Sequence, residues 1–165
     1  SFSPTPLLIG IDQEGGQVNR LKESYGFPPS KSWAELGRIN DIEETQSHSN
    51  KMASTLSDHG FNLNFAPVLD LSVNPDSFIA KKERCFSSDP KNIIIHSEIL
   101  MKAHLDKNVV PVCKHFPGQG SAGGDTHEGI ADVTETWSET ELIPYQTLID
   151  NDCISIRYIK TTLYY

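Results

Sequence analysis

Three short apolar runs, each ending in or followed at once by a titratable residue, alternate with segments of helical pattern along this chain. The runs cover residues 6–12, 61–70 and 109–113, and each has the length and apolar content of a buried strand. Strands that alternate with helices predict a parallel sheet, because each crossover helix brings the next strand back in the same direction. The alternation therefore predicts the α/β class before any residue is assigned a role.

Three helices are predicted from N-cap residues that precede apolar residues at helical spacing. Asp41 and Ser138 each stand three residues before a glutamate, which is the capping-box pattern, and Asp89 precedes a proline at the first helical position. Pro67, near the end of the second apolar run, predicts that strand pairing stops there, because proline has no N–H to donate. The predicted elements are helices over residues 41–59, 89–108 and 138–149 and a last strand over residues 153–159.

Titratable residues at the strand ends predict where the chemistry of such a fold lies. Asp12 ends the first run, Asp70 ends the second, and Lys114 and His115 follow the third. The repeat of this arrangement predicts a (β/α)8 TIM-barrel type with its site at the carboxyl ends of the strands. A whole barrel takes ~250 residues, so we expect a partial barrel of about four β/α units, with residues 1–165 forming one catalytic domain.

Composition and charge exclude several classes of partner. The formal net charge is -8, and no basic stripe is present to neutralise phosphates, so neither nucleic acid nor an anionic membrane surface is expected as a partner. No apolar run approaches the ~20 residues that cross a bilayer. The three cysteines are widely spaced and odd in number, which fits neither a disulfide framework nor a paired-cysteine zinc site. No cofactor and no metal are expected.

The stretch after the third strand carries the densest set of reactive side chains. It reads KHFPGQGSAGGDTH and contains four glycines, which let the backbone turn freely and approach a ligand closely. A purely structural loop needs glycines but has little use for Lys114, His115, Asp125 and His127 together. The stretch therefore predicts a functional site, with a structural turn as the alternative.

Several segments together resemble one enzyme family. IGIDQEGGQVNRL, NFAPVLDL, ERCFSSDP, and KHFPGQG with GGDTH occur in the order typical of the glycoside hydrolase family 3 β-N-acetylhexosaminidases, the NagZ-like enzymes of peptidoglycan recycling. The resemblance covers roughly residues 7–151. KHF by itself indicates the wider family 3, including β-glucosidases, and the Asp-x-His pair marks the hexosaminidase branch. The resemblance implies a retaining enzyme that removes terminal β-linked N-acetylglucosamine from peptidoglycan- or chitin-derived saccharides.

The resemblance also implies roles for individual residues. In the family a histidine serves as the general acid/base with an aspartate as its partner, and the matching residues here are His127 and Asp125. A histidine suits this task because its pKa lies near neutral pH without burial, and a nearby carboxylate orients the ring. The residues implied to bind the sugar are Asp12, Arg20, Arg84, Lys114 and His115.

The chain departs from the family pattern at several places. Gln119 stands where the family commonly has histidine, and Cys85 stands where serine is usual. The family's nucleophile is an aspartate in a later segment resembling SDDLSM, and no such segment occurs among these 165 residues. The nucleophile is therefore expected beyond the chain end, and the 165-residue chain by itself is expected to be inactive. A partial barrel would also leave strand edges and apolar faces uncovered, which predicts self-association.

Three other functions fit parts of the same pattern. A family 3 enzyme that acts on another β-glycoside, or by phosphorolysis, shares most of the motifs. A metal-dependent hydrolase would use His115, Asp125 and His127 with Asp12 as ligands, although no His-x-His pair lies on an early strand. A non-catalytic sugar-binding remnant would account for the missing nucleophile.

Overall fold

The computed structural model of the chain describes residues 7–123, 133–151 and 153, together with the backbone of residues 159–161. Short parallel strands and helices alternate within these ranges, as the sequence predicts. The strands are β1 (Gly10–Ile11), β2 (Leu63–Asn64), β3 (Val110–Pro111), β4 (Cys113–Phe116) and β5 (Ile159–Thr161). The α-helices are α1 (Trp33–Ile39), α2 (Ile42–Asp58), α3 (Phe78–Lys81), α4 (Pro90–Leu105) and α5 (Ile143–Asp150), and the 3₁₀ helices are Glu23–Tyr25 and Glu139–Leu142.

The strands pair in parallel throughout the described ranges. One sheet has the order β1–β2–β3, and β4 pairs with β5. Gly10 lies opposite Leu63, and Leu63 lies opposite Val110, so the segments that leave these strands emerge side by side. The predicted α/β class is confirmed, whereas the partial barrel stays a prediction.

The chain after Pro67 also joins the strands, which corrects one expectation. The sequence predicts that pairing stops at this proline, but Val68 forms a parallel bridge with Lys114. Pro67 has no N–H to donate, yet its carbonyl accepts the N–H of Lys114 at 3.2 Å, and Leu69 N donates to the Lys114 carbonyl at 2.8 Å. A proline therefore removes one donor without ending the pairing, and the strand direction continues to Asp70.

The third apolar run forms two strands and not the single strand predicted. β3 pairs with β2, whereas β4 pairs with β5 and extends through Phe116. Lys114 and His115 consequently lie within β4, not after it. The helices α1 and α3 lie outside the three helices that the sequence predicts, and each begins at a serine N-cap, Ser32 and Ser77.

The two long helices begin where their N-caps predict and pack against each other. Oδ1 of Asp41 accepts the N–H of Glu43 and Glu44, and Oδ1 of Asp89 accepts that of Lys91. The Glu44 carboxylate does not turn back to the cap but lies 3.7 Å from the Nζ of Lys31.

No helix in the described ranges is both long and apolar enough to cross a bilayer. The buried core includes Trp33, Leu36, Leu56, Leu69, Ile93, Leu100, Val109, Cys113 and Leu148.

Candidate active site

The end of β1 is held by an asparagine of the neighbouring strand. The side-chain amide of Asn64 accepts the N–H of Gln13 and donates to the Gln13 carbonyl, each at 3.0 Å. This two-bond contact fixes the backbone between Asp12 and Glu14, so the positions from which their two carboxylate side chains project are defined. Gly15 follows with a φ of 96°, which glycine adopts without strain, and begins a tight turn that backbone hydrogen bonds between Gly15 and Val18 close.

Both acids of this segment meet a lysine from β4. The Nζ of Lys114 lies 2.7 Å from Oδ1 of Asp12 and 2.6 Å from Oε1 of Glu14. The Lys114 and Glu14 side chains are each 1% exposed, whereas the Asp12 side chain is 34% exposed. The cluster therefore has a buried floor, and Asp12 forms its accessible rim.

Arg84 completes the floor from the segment that follows α3. Its Nε and Nη2 donate to Oε2 and Oε1 of Glu14, each at 2.8 Å, which is the paired geometry that makes arginine–carboxylate contacts strong. Burial by itself raises the pKa of the Glu14 carboxyl, but the Arg84 hydrogen bonds and the charges of Lys114 and Arg84 outweigh it and hold the pKa below its ordinary value. Glu14 is therefore a buried anion bound to two cations.

His115 is bound at both ring nitrogens. Its Nδ1 lies 2.6 Å from Oδ2 of Asp70, and its Nε2 lies 3.1 Å from Nη2 of Arg84. Burial lowers the pKa of His115; Asp70 raises it in part, and the charges of Arg84 and Lys114 lower it again. Burial raises the pKa of Asp70, but its contacts with His115 and the backbone of Gln119 outweigh burial. Near neutral pH the pair is thus a carboxylate and a neutral imidazole.

The glycine-rich stretch after β4 is anchored by two buried carboxylates. Oδ1 of Asp70 accepts the N–H of Gln119, and Oε2 of Glu141 accepts the N–H of Gly120, each at 2.8 Å. The sequence predicts Glu141 as the capping-box partner of Ser138, but its side chain turns to Gly120, and the residue is 1% exposed. Burial raises the pKa of the Glu141 carboxyl, and its hydrogen bonds with this loop offset burial only in part. Glu141 therefore holds the loop, and Ser138 caps its helix without it.

Four of the five predicted sugar-binding residues are brought together in this cluster. Arg20 is the exception, because its side chain is exposed and its contact with the site segment runs through its backbone. The N–H groups of Arg20 and Leu21 donate to Oε1 of Gln13 at 2.9 and 3.1 Å, so Gln13 ties their loop to the end of β1. The four residues in contact are Asp12, Arg84, Lys114 and His115, which Glu14 joins.

The predicted acid/base pair, Asp125 and His127, lies outside the described residues. The described part of the loop ends at Gly123, which is exposed. Among the side chains that the structure describes, no group of three or more His, Cys, Asp or Glu has the geometry to hold a metal ion. The acid/base roles and the metal-dependent alternative, which shares these two residues, stay predictions.

Three buried acids of this region are not among the residues to which the resemblance assigns a role. Glu14 stands two residues after Asp12, and Asp70 ends an apolar run just as Asp12 does, so a local signal exists for both. The signal at Glu141 points elsewhere, because its position in a helix start predicts a cap. Burial and partner choice, which distinguish these acids from surface acids, follow from tertiary contacts.

Acids and cations gathered at the strand ends of a parallel α/β fold are typical of enzymes of the α/β class. The chain belongs to glycosyl hydrolase family 3, since residues 1–158 match the model of the family's N-terminal domain. This is a family of hydrolytic enzymes, and the curated relatives reported below are bacterial.

The similarity to individual relatives covers most of this chain. It is 31% identical over 148 residues to the β-hexosaminidase LpqI of Mycobacterium tuberculosis, covering 88% of this chain and 38% of that protein. It is 34% identical over 151 residues to a β-hexosaminidase of Photobacterium profundum, covering 90% of this chain and 44% of that protein. The chain thus spans about two fifths of the length of the curated relatives it matches.

Solved structures agree with this assignment. A family 3 β-N-acetylglucosaminidase from Paenibacillus superposes with a TM-score of 0.80 at 29% identity, covering 95% of this chain and 30% of that one. A β-N-acetylhexosaminidase from Beutenbergia cavernae superposes with a TM-score of 0.76 at 28% identity, covering 88% of this chain and 44% of that one.

Proposed function

We propose that this chain forms the sugar-binding side of a retaining glycoside hydrolase that removes terminal β-linked N-acetylglucosamine, from peptidoglycan- or chitin-derived saccharides. The observation that carries the proposal is the ion cluster of Asp12, Glu14, Arg84 and Lys114 at the strand ends of a family 3 chain. Relatives named β-hexosaminidases and β-N-acetylglucosaminidases support the choice of sugar.

Each residue of the cluster has a role that follows from its donors and acceptors. Asp12, at the accessible rim, accepts hydrogen bonds from sugar hydroxyl groups, and Arg84 and Lys114 donate to hydroxyl oxygens from the floor. His115, which lies next to Arg84, contacts the same sugar. Arg20 reaches the ligand from the loop that Gln13 holds next to the cluster.

The chemical step needs an acid/base and a nucleophile, because a retaining mechanism passes through a covalent glycosyl intermediate. His127 takes the acid/base role with Asp125 as its partner, and an aspartate beyond the 165 residues takes the role of nucleophile. Glu14 and Asp70 are unsuited to attack the sugar, since their exposures are 1% and 0% and both carboxylates are already bound by donors.

A partial (β/α)8 barrel is the setting that we propose for this site. β1, β2 and β3 run parallel, and the bridge at Val68 continues the parallel arrangement to β4 and β5. The remaining units would come from further chain, since the matched relatives are more than twice as long, or from self-association. Three apolar residues at the β1 edge are exposed and could contact a further β/α unit. They are Leu7, Leu8 and Ile9, with exposures of 69%, 74% and 46%.

The test is the cleavage of chromogenic glycosides by the full-length gene product. We expect release of nitrophenol from the β-N-acetylglucosaminide, much slower release from the β-glucoside, and no effect of inorganic phosphate or a chelator. Faster cleavage of the glucoside, or a requirement for phosphate, would favour the other family 3 activities. Inhibition by the chelator would favour a metal-dependent hydrolase, and sugar binding without turnover would favour a non-catalytic remnant.

A further inference from the structure

The two contacts of the His115 ring determine which nitrogen carries its proton. A guanidinium has donors only, so the Nη2 of Arg84, 3.1 Å from Nε2, requires that nitrogen to be an acceptor. An ionised carboxylate has acceptors only, so Oδ2 of Asp70, 2.6 Å from Nδ1, requires a proton on Nδ1. The neutral imidazole with its proton on Nδ1 satisfies both contacts, and no other form of the ring does.

The two carboxylate oxygens of Asp70 accept hydrogen bonds from three donors. Oδ2 accepts from the His115 ring, and Oδ1 accepts from the backbone N–H groups of His115 at 3.3 Å and Gln119 at 2.8 Å. The residue is 0% exposed, so bulk water cannot replace a lost partner. One carboxylate therefore holds both the ring and the backbone of His115.

We propose that Asp70 is a positioning residue that holds His115 as a neutral, accept-only group inside the sugar-binding cluster. This inference rests on the proposed function and specifies how the site recognises its ligand. Nε2 of His115 accepts a hydrogen bond from Arg84 or from a sugar hydroxyl and donates none. Asp12 and His115 thus accept from hydroxyl groups, whereas Arg84 and Lys114 donate to them.

The first test reads the tautomer of the histidine rings by nitrogen NMR in the unsubstituted protein near neutral pH. We expect a protonated Nδ1 and a bare Nε2 for the ring whose signals disappear in H115Q. His104 is an internal control with the same tautomer and no contact with Asp70, because its Nδ1 lies 2.9 Å from the Leu100 carbonyl and its Nε2 lies 3.1 Å from Nδ2 of Asn64. A proton on Nε2 of His115, or a charged ring, would overturn the proposal.

The second test replaces the carboxylate by an amide of the same shape in D70N. The amide has one accepting oxygen and one donating NH₂, so it can serve the ring or the backbone donors of His115 and Gln119, but not both. We expect either a changed tautomer of His115 or about tenfold faster exchange of the Gln119 amide proton, with His104 unchanged.

The matched control for this substitution is D106N, at the exposed C-cap of α4, which should change neither signal. If D70N keeps both the tautomer and the slow Gln119 exchange, Asp70 does not position His115. If D70N does not fold, the tautomer in the unsubstituted protein decides the question.

The third test connects the tautomer to recognition through N-acetylglucosamine analogues in which one hydroxyl is replaced by fluorine, which cannot donate. For the analogue that lacks the hydroxyl bound by His115, we expect about tenfold weaker binding to the unsubstituted full-length protein than for the parent sugar. That penalty should vanish in H115A, because the contact is already absent there. Penalties that are the same in both proteins for every analogue would refute acceptance from the sugar. If no N-acetylglucosamine binds, the proposed function fails, and the tautomer alone decides the role of Asp70.

Discussion

The guanidinium of Arg84 and the carboxylate of Glu14 form a paired contact of two 2.8 Å hydrogen bonds across 70 positions of sequence. Their side chains are 10% and 1% exposed, so the pair is almost fully removed from water. A buried ion pair contributes little net stability when intact, but the loss of one partner is costly because the other charge stays buried. The pair therefore makes the floor of the cluster sensitive to single substitutions.

We expect E14Q to lower the free energy of unfolding by about 3–5 kcal/mol, since the neutral amide leaves Arg84 and Lys114 without their shared anion. The measurement is urea denaturation. E35Q is the matched control, because Glu35 pairs with Lys31 at 3.5 Å on the surface, with side chains 40% and 38% exposed, and should cost about 0–1 kcal/mol. Equal losses in the two variants would contradict the central role of Glu14.

The close approach of Gly120 to the segment after Asp70 predicts a position-specific effect in the glycine-rich loop. A Cβ at Gly120 would clash with the carbonyl oxygen of Leu71, so G120A should destabilise the protein by about 1–3 kcal/mol. A Cβ at Gly123 meets no atom of the described residues within 4 Å, so G123A should stay within about 0.5 kcal/mol of the parent. Thermal denaturation of the two variants compares them directly, and a stability of G120A equal to that of G123A would refute the packing against Leu71.

Burial of His104 predicts a loss of stability in mild acid. Burial lowers the pKa of this ring to about 4 from 6.5, so between these pH values the unfolded chain binds a proton that the folded chain does not. The contribution is complete above pH 6.5 and declines as pH falls towards 4, by up to about 1.4 kcal/mol per pH unit. Denaturation at a series of pH values should give a shallower decline in H104Q than in the parent.

The exposed His59 provides the control for the pH series. H59Q removes an imidazole from the surface and not from the core, and it should retain the parent's decline in stability. An unchanged slope in H104Q would show that other groups account for the acid sensitivity.

Replacement of the predicted acid/base should affect substrates according to their leaving groups. In the full-length protein we expect H127A to slow cleavage of a poor leaving group by ~10²–10⁴-fold, and that of a good one far less, because a stable leaving anion needs little protonation. Steady-state rates with a series of aryl β-N-acetylglucosaminides measure this difference. Equal loss for all substrates would rule out His127 as the acid/base, and H59A serves as the unaffected control.

The 165-residue chain by itself should not turn over a β-N-acetylglucosaminide measurably. It contains the predicted acid half of the mechanism, Asp125 and His127, whereas Glu14 and Asp70 are buried and bound and cannot serve as the attacking carboxylate. The measurement is nitrophenol release by purified chain ending at Tyr165, with the full-length gene product as the positive control. Robust release would mean that a nucleophile lies within these residues.

The sequence by itself determined the class of fold and the location of the cluster. Apolar runs that alternate with capped helices predict parallel strands, and Asp41 and Asp89 cap α2 and α4 as expected. Asp12 follows β1 and meets Lys114 of β4, as expected when parallel strands bring their titratable residues to one side of the fold. These outcomes depend on local sequence patterns and on a general rule of chain topology, so they can be predicted from the sequence without the tertiary structure.

The tertiary structure decided which charges pair and which are buried. Arg84 lies in a segment with three other charged residues, and the resemblance, not the charge pattern, distinguishes the one that turns inward. The sequence pattern of Glu141 predicts a helix cap, yet its carboxylate binds the backbone of Gly120, 21 positions away. A buried charge is tolerated only where a partner lies within hydrogen-bonding distance, and that partner is set by the packing of distant segments.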